Sequence, residues 1–104
     1  MDEVNDADDE RWLVIDGRRW RRTDPELPAD LVAALKSQLG KGRSAVRTAK
    51  KVGDETAVAA ARTRVGIAKH GLGERGPYWW DLPVAERIAN AEQAVRDAAD
   101  LDNP

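Results

Sequence analysis

The sequence predicts an α+β fold that is mainly helical: an N-terminal β-hairpin, an antiparallel helix pair, an aromatic loop and a C-terminal helix. Three observations carry this. The apolar run Trp12-Leu13-Val14-Ile15 is followed at once by Asp16-Gly17 and a returning segment, Arg18 to Arg22. Apolar residues then recur at steps of three and four along two long stretches separated by Gly53-Asp54. Finally, three of the five aromatic residues, Tyr78, Trp79 and Trp80, stand back to back after a Gly- and Pro-rich stretch, in a chain without Phe. Large rings bury much apolar area. The aromatic loop is therefore expected to close the fold, with Trp20, Trp79 and Trp80 sharing a core with Leu13, Ile15, Leu35 and Leu72.

A chain of 104 residues is one domain at most. It is expected to span residues 11–101, after a disordered acidic tail at 1–10 and before a frayed end at 102–104. The tail carries six acids and no base, and too little apolar surface to offset the entropy of ordering it. No apolar run approaches a membrane span, and no basic-then-apolar leader precedes the domain. The expectation is a soluble cytoplasmic protein that does not enter membranes. The chain has no cysteine, which excludes disulfides, thiolate zinc sites and cysteine nucleophiles.

Each element has a local cause. Asp16-Gly17 suits a two-residue type I′ turn, whose central positions both need positive φ. That turn pairs Ile15 with Arg18, Leu13 with Trp20 and Trp12 with Arg21. Leu13, Ile15 and Trp20 then share one face, expected to be buried. Trp12, Val14, Arg19 and Arg21 share the other, where Arg21 can sit on the Trp12 ring. Thr23 to Pro28 connects, and Pro28 fits a helix start. A helix to about Lys51 follows from the stripe Leu31, Leu35, Leu39, Gly42, Val46 and Ala49. Gly40 and Gly42 each weaken it by about 1 kcal/mol relative to Ala, which leaves a break there open. Gly53 suits a left-handed helix end and Asp54 a cap. The second helix runs to about His70, stopped by Gly71, with Val58, Ala61, Val65 and Ala68 inward. Asp81 is expected to cap the third helix, whose stripe is Val84, Ile88, Ala91, Val95 and Ala98.

Charge is segregated along the chain. Residues 11–75 carry fifteen bases against seven acids, and residues 76–104 two against six, within a net charge of -2. Little else points to chemistry. His70 stands alone, so no His-based metal site is expected. Ser37 and Ser44 have no nearby base and no nucleophile-elbow motif. Gly71, Gly73 and Gly76 match a phosphate-loop spacing but follow a helix instead of a strand, so they read as a helix stop and turns.

The order Trp12-Leu-Val-Ile-Asp-Gly-Arg-Arg-Trp20-Arg-Arg-Thr-Asp-Pro25, an Arg- and Ala-rich helical hairpin, and Leu72-Gly-Glu-Arg-Gly76-Pro-Tyr-Trp-Trp80 resembles a family of short bacterial proteins of unknown function, some labelled "biopolymer transporter Tol". The resemblance covers roughly residues 11–81, and its specific parts are the two tryptophan-bearing ends. It implies that hairpin and aromatic loop belong to one unit. The label implies transport at the cell envelope. The resemblance brings no catalytic residues.

The functional expectation is a non-enzymatic module that binds another protein, using Trp12, Arg75, Tyr78 and Trp79, because Trp, Tyr and Arg dominate interface energetics. A thin aliphatic core makes a homodimer a further expectation. The alternative is a weak nucleic-acid-binding module using Arg18, Arg19, Arg21, Arg22, Arg43, Arg47 and Lys50, since guanidinium groups interleaved with Trp suit phosphates and bases. Against it stands a pI of 5.4, below the basic range of such domains. No cofactor or metal is expected.

Overall fold

The computed structural model describes residues 10–103. The acidic tail, apart from Glu10, and Pro104 lie outside the described residues. Within them, strands β1 (Trp12–Ile15) and β2 (Arg18–Arg21) are followed by α1 (Ala29–Val52), α2 (Glu55–Gly71), a 3-10 turn (Trp79–Asp81) and α3 (Val84–Asp100). The strands pair antiparallel in the expected register, Trp12 opposite Arg21 and Leu13 opposite Trp20. Asp16 and Gly17 both take positive φ, 52° and 79°, as the mirror-image turn demands.

Helix α1 is continuous through both glycines. Gly42 sits where α1 crosses α2: a Cβ there would lie 2.7 Å from Val65 Cγ2. Close packing at that point offsets the weak helix propensity. Gly40 faces open space. The helix ends in a Schellman motif. Gly53, at φ 73°, donates its N–H to the Lys50 carbonyl (3.2 Å), and Asp54 donates to that of Ala49 (3.0 Å). Asp54 Oδ1 then accepts the Ala57 N–H at 3.0 Å, capping α2.

Two expected boundaries move. Gly71 does not stop α2; it is its last residue, buried where a Cβ would come 2.5 Å from that of Ala94 and 2.9 Å from Leu35 Cδ1. The left-handed residue is Gly73, φ 81°, whose N–H meets the His70 carbonyl while Glu74 reaches that of Lys69. Gly71 serves packing alone, while Gly73 serves backbone conformation and also packs closely, a Cβ there coming 3.1 Å from Trp79 Cδ1 and 3.2 Å from Asp24 Cβ, a difference that the sequence Gly-Leu-Gly does not reveal. Asp81 does not cap α3 either. It lies in the 3-10 turn, and α3 starts after Pro83 with no side-chain cap.

The core is made by the helices. Leu35, Leu72, Ala68 and Ala91 are fully buried, with Leu27 and Leu39 nearly so, and α3 packs on both α1 and α2. Trp79, at 8% exposure, is the one expected core tryptophan that is buried. Trp80 and Leu13 are half-buried, while Trp20 is 36% and Ile15 53% exposed. The reason is spatial. Leucines and alanines of the helices close against one another, and the hairpin lies beside the loops at one end. At the C-terminal end Arg64 donates to Asp102 at 2.6 Å, with Lys41 3.7 Å away. This holds the first residue of the segment read as frayed. The Arg64 hydrogen bond also keeps the Asp102 carboxyl below its usual range. No helix among the described residues is long and apolar enough to cross a membrane.

Candidate functional site

The two faces of the hairpin make two different environments. On the first, Arg21 reaches into the aromatic loop and donates from one guanidinium nitrogen to the carbonyls of Gly73 (3.2 Å), Gly76 (2.9 Å) and Pro77 (3.2 Å). Gly73 and Gly76 both hold positive φ, 81° and 83°, a conformation glycine adopts without a Cβ penalty. The Arg21 Nε–H is buried with no acceptor among the described residues. The same guanidinium lies over the Tyr78 ring at 4.6 Å. Tyr78 stacks on Trp80 with centroids 4.6 Å apart and planes 9° from parallel. Trp12 meets both edge-on, at 6.0 and 5.7 Å. The expected Trp12–Arg21 contact is therefore replaced. Arg19 covers Trp12 at 4.1 Å, because the loop carbonyls draw Arg21 away.

On the second face, Leu13, Ile15 and Trp20 are not buried as expected. They line an open groove of about 530 Å³ whose opposite wall includes Arg43 of α1 and Lys69 of α2. Lys69 Nζ lies 5.2 Å from the Trp20 centroid, and the Arg18 guanidinium 4.5 Å. At the groove's edge Thr23 donates its hydroxyl to Glu74 at 2.7 Å. Burial, then the nearby charges of Arg75, Arg43 and Arg18, hold the Lys69 ammonium below the ordinary lysine value, against the pull of Glu74. Positive charge is crowded here beside exposed apolar surface.

A third cluster locks the loops to the helices, and the sequence did not disclose it. Asp24, 2% exposed, accepts from Arg87 at 2.9 Å and from the Glu26 N–H at 2.9 Å. Its own N–H donates to the Leu72 carbonyl. Arg87 also donates from Nε to the Leu82 carbonyl at 2.9 Å, and its guanidinium lies 5.5 Å from the Trp79 centroid. Trp79 Nε1–H donates to the Arg22 carbonyl at 3.1 Å. In the sequence Asp24 is only part of the connector Thr23 to Pro28. The available signal was Arg87, one of two bases after residue 75, standing in an acidic block.

The expected partner-binding residues fare differently. Tyr78 and Arg75 are exposed and Trp12 is half-buried, but Trp79 is interior and shapes the loop without presenting a surface. Of the expected nucleic-acid set, Arg18, Arg19, Arg22, Arg43, Arg47 and Lys50 are exposed. Arg21 is not a surface cation, since the loop carbonyls and the Tyr78 ring hold it. Arg43 joins Arg18 at the groove; Arg47 and Lys50 continue along α1 outside it. The Gly71, Gly73 and Gly76 spacing resolves into a packing contact and two turns, and a Cβ on Gly76 would run into the His70 ring. All five aromatic rings carry a cation: Arg19 on Trp12, Arg18 and Lys69 on Trp20, Arg21 on Tyr78, Arg87 on Trp79, Arg11 on Trp80.

No family model, curated protein or solved structure matches the chain. Fold and site together define a small, mainly helical α+β domain with an open cationic and apolar groove beside its hairpin.

Proposed function

We propose that this is a soluble, non-catalytic interaction module of the cytoplasm that binds another protein, with the groove and the hairpin above it as the contact surface. The observation that carries this reading is the exposure of apolar residues on one hairpin face, Ile15 at 53% and Trp20 at 36%, where they line the open groove. Contiguous exposed apolar surface rimmed by polar groups marks interaction sites. The two-stranded sheet also leaves the outer edge of each strand unpaired among the described residues, and an open edge accepts a further strand from a partner or a second copy.

A second reading, weak nucleic-acid binding, draws support from Arg18, Arg43 and Lys69 gathering around Trp20. It is the lesser of the two, because the cations already lie over the rings that bases would stack on. The test is a photo-crosslinking residue placed at position 15, and in a separate variant at position 62 on the exposed side of α2. Irradiation in cell extract should give protein adducts from position 15 and none from position 62. Nucleic-acid adducts from position 15 would favour the second reading. A dimer-mass adduct of the purified chain would identify a second copy as the partner.

A further inference from the structure

We infer that the groove between the hairpin and the α1–α2 pair seats an extended acidic peptide segment with a large aliphatic side chain beside its carboxylates. This rests on the interaction-module reading and names the chemistry of the partner. The floor of the groove is apolar, formed by Leu13, Ile15 and Trp20. Its rim is cationic. Arg43 and Lys69 line it, Arg18 lies on the Trp20 ring, and Arg75 is near enough to act on the Lys69 charge. Among the described residues the acid lining the groove is Glu74, which already accepts from Thr23. Like charges gathered around one occupied acid repel one another, and carboxylates brought by a partner relieve that repulsion.

The combination is selective. A polynucleotide satisfies the rim, yet leaves Leu13 and Ile15 against water and finds Arg18 and Lys69 already on Trp20. A wholly apolar segment covers the floor and desolvates Arg43 and Lys69 without returning a hydrogen bond, which is unfavourable. An acidic segment with an aliphatic anchor answers both surfaces. The groove, about 530 Å³, lies in the size range that takes a few side chains. An extended backbone can also use the open edge of the hairpin for main-chain hydrogen bonds.

The experiment is calorimetric titration of the full chain at low salt with a synthetic peptide of alternating Glu and Leu. Parallel titrations use the same peptide with Gln for Glu, the same peptide with Ser for Leu, and single-stranded oligo-dT. The Glu-Leu peptide should bind, and each altered peptide should bind at least about tenfold more weakly, a difference of about 1.4 kcal/mol. Arg43→Gln and Ile15→Asn should each weaken binding about tenfold, as loss of one charge-assisted or one apolar contact does. Arg62→Gln should leave it unchanged. Equal binding of the Gln peptide would overturn the inference, as would oligo-dT binding as tightly and independently of Ile15. If the Glu-Leu peptide fails to bind while position 15 still crosslinks a protein, the acidic-segment inference falls and the module stands. If both fail, both fall.

Discussion

Replacing Arg87 by Met tests whether the loops are locked to the helices as the structure shows. Asp24 has 1% and Arg87 12% of its side chain exposed, with 2.9 Å between the paired atoms. Removing one member of a buried pair leaves the other charge uncompensated and costs about 3–5 kcal/mol. The residual exposure of Arg87 points to the lower end, about 3 kcal/mol. Loss of its Nε bond to Leu82 adds about 1 kcal/mol. A total of about 4 kcal/mol is a large part of the ~5–15 kcal/mol that holds a typical domain together. At ~4–8 °C per kcal/mol for a chain of this size, Tm should fall by about 16 °C or more. Asp24→Asn keeps an acceptor for the Glu26 N–H and should cost less, about 1–3 kcal/mol. The double variant should be milder than the sum of the two by at least about 0.5 kcal/mol, since the second substitution removes a charge already stranded. Urea unfolding followed by tryptophan fluorescence gives all three values, provided the slope is constant across the set. An Arg87→Met protein within about 1 kcal/mol of the parent, or strict additivity of the two changes, would show that the pair is solvated and the lock absent.

Three other outcomes are expected. Gly40→Ala should stabilise by up to about 1 kcal/mol through helix propensity alone, whereas Gly42→Ala and Gly71→Ala add a methyl where there is no room and should lose about 1–3 kcal/mol to overpacking; urea midpoints that move alike for Gly40 and Gly42 would contradict the close helix crossing. Trp79→Ala should cost about 3–5 kcal/mol and Trp20→Ala, partly exposed beneath Arg18 and Lys69, about 1–2 kcal/mol, so a larger thermal shift for Trp20 would reverse their placement. Lys69, labelled at Cε and titrated by NMR, should lose its proton below the ordinary lysine value, and Arg43→Gln should move that midpoint back up. The sign for stability follows. As pH rises through the folded midpoint the native state releases the proton first, so the fold gains stability until the unfolded lysine titrates as well. A midpoint at the ordinary value would mean that Lys69 is neither partly buried nor crowded by its neighbouring cations.

Much of the molecule was legible in the chain because its causes are local. Asp16-Gly17 dictates the hairpin turn and its register, Gly53-Asp54 the exchange between two helices, and the apolar steps of three and four the helices themselves, all through interactions within a few residues. The candidate site was legible only in its ingredients. Exposed cations around residues 18 and 43 were foreseen, but not that Lys69 faces them, nor that Trp20 forms the floor of an open groove.

What the tertiary structure alone decided is which of several equivalent residues does what. Gly42 and Gly71 are glycines of close approach, Gly40 meets nothing, and Gly73 both turns the backbone and lies against Trp79 and Asp24; their sequence neighbourhoods do not distinguish them, because the atoms that do belong to distant parts of the chain. Trp79 went inside and Trp20 stayed out for the same reason. Both rings are large enough to fill a core, but Trp79 alone lies where the Arg22 carbonyl and Arg87 meet it. Arg21 and Arg87 became structural cations because carbonyls and a carboxylate more than fifty residues away in the chain were brought to them, and no local rule of sequence reaches that far.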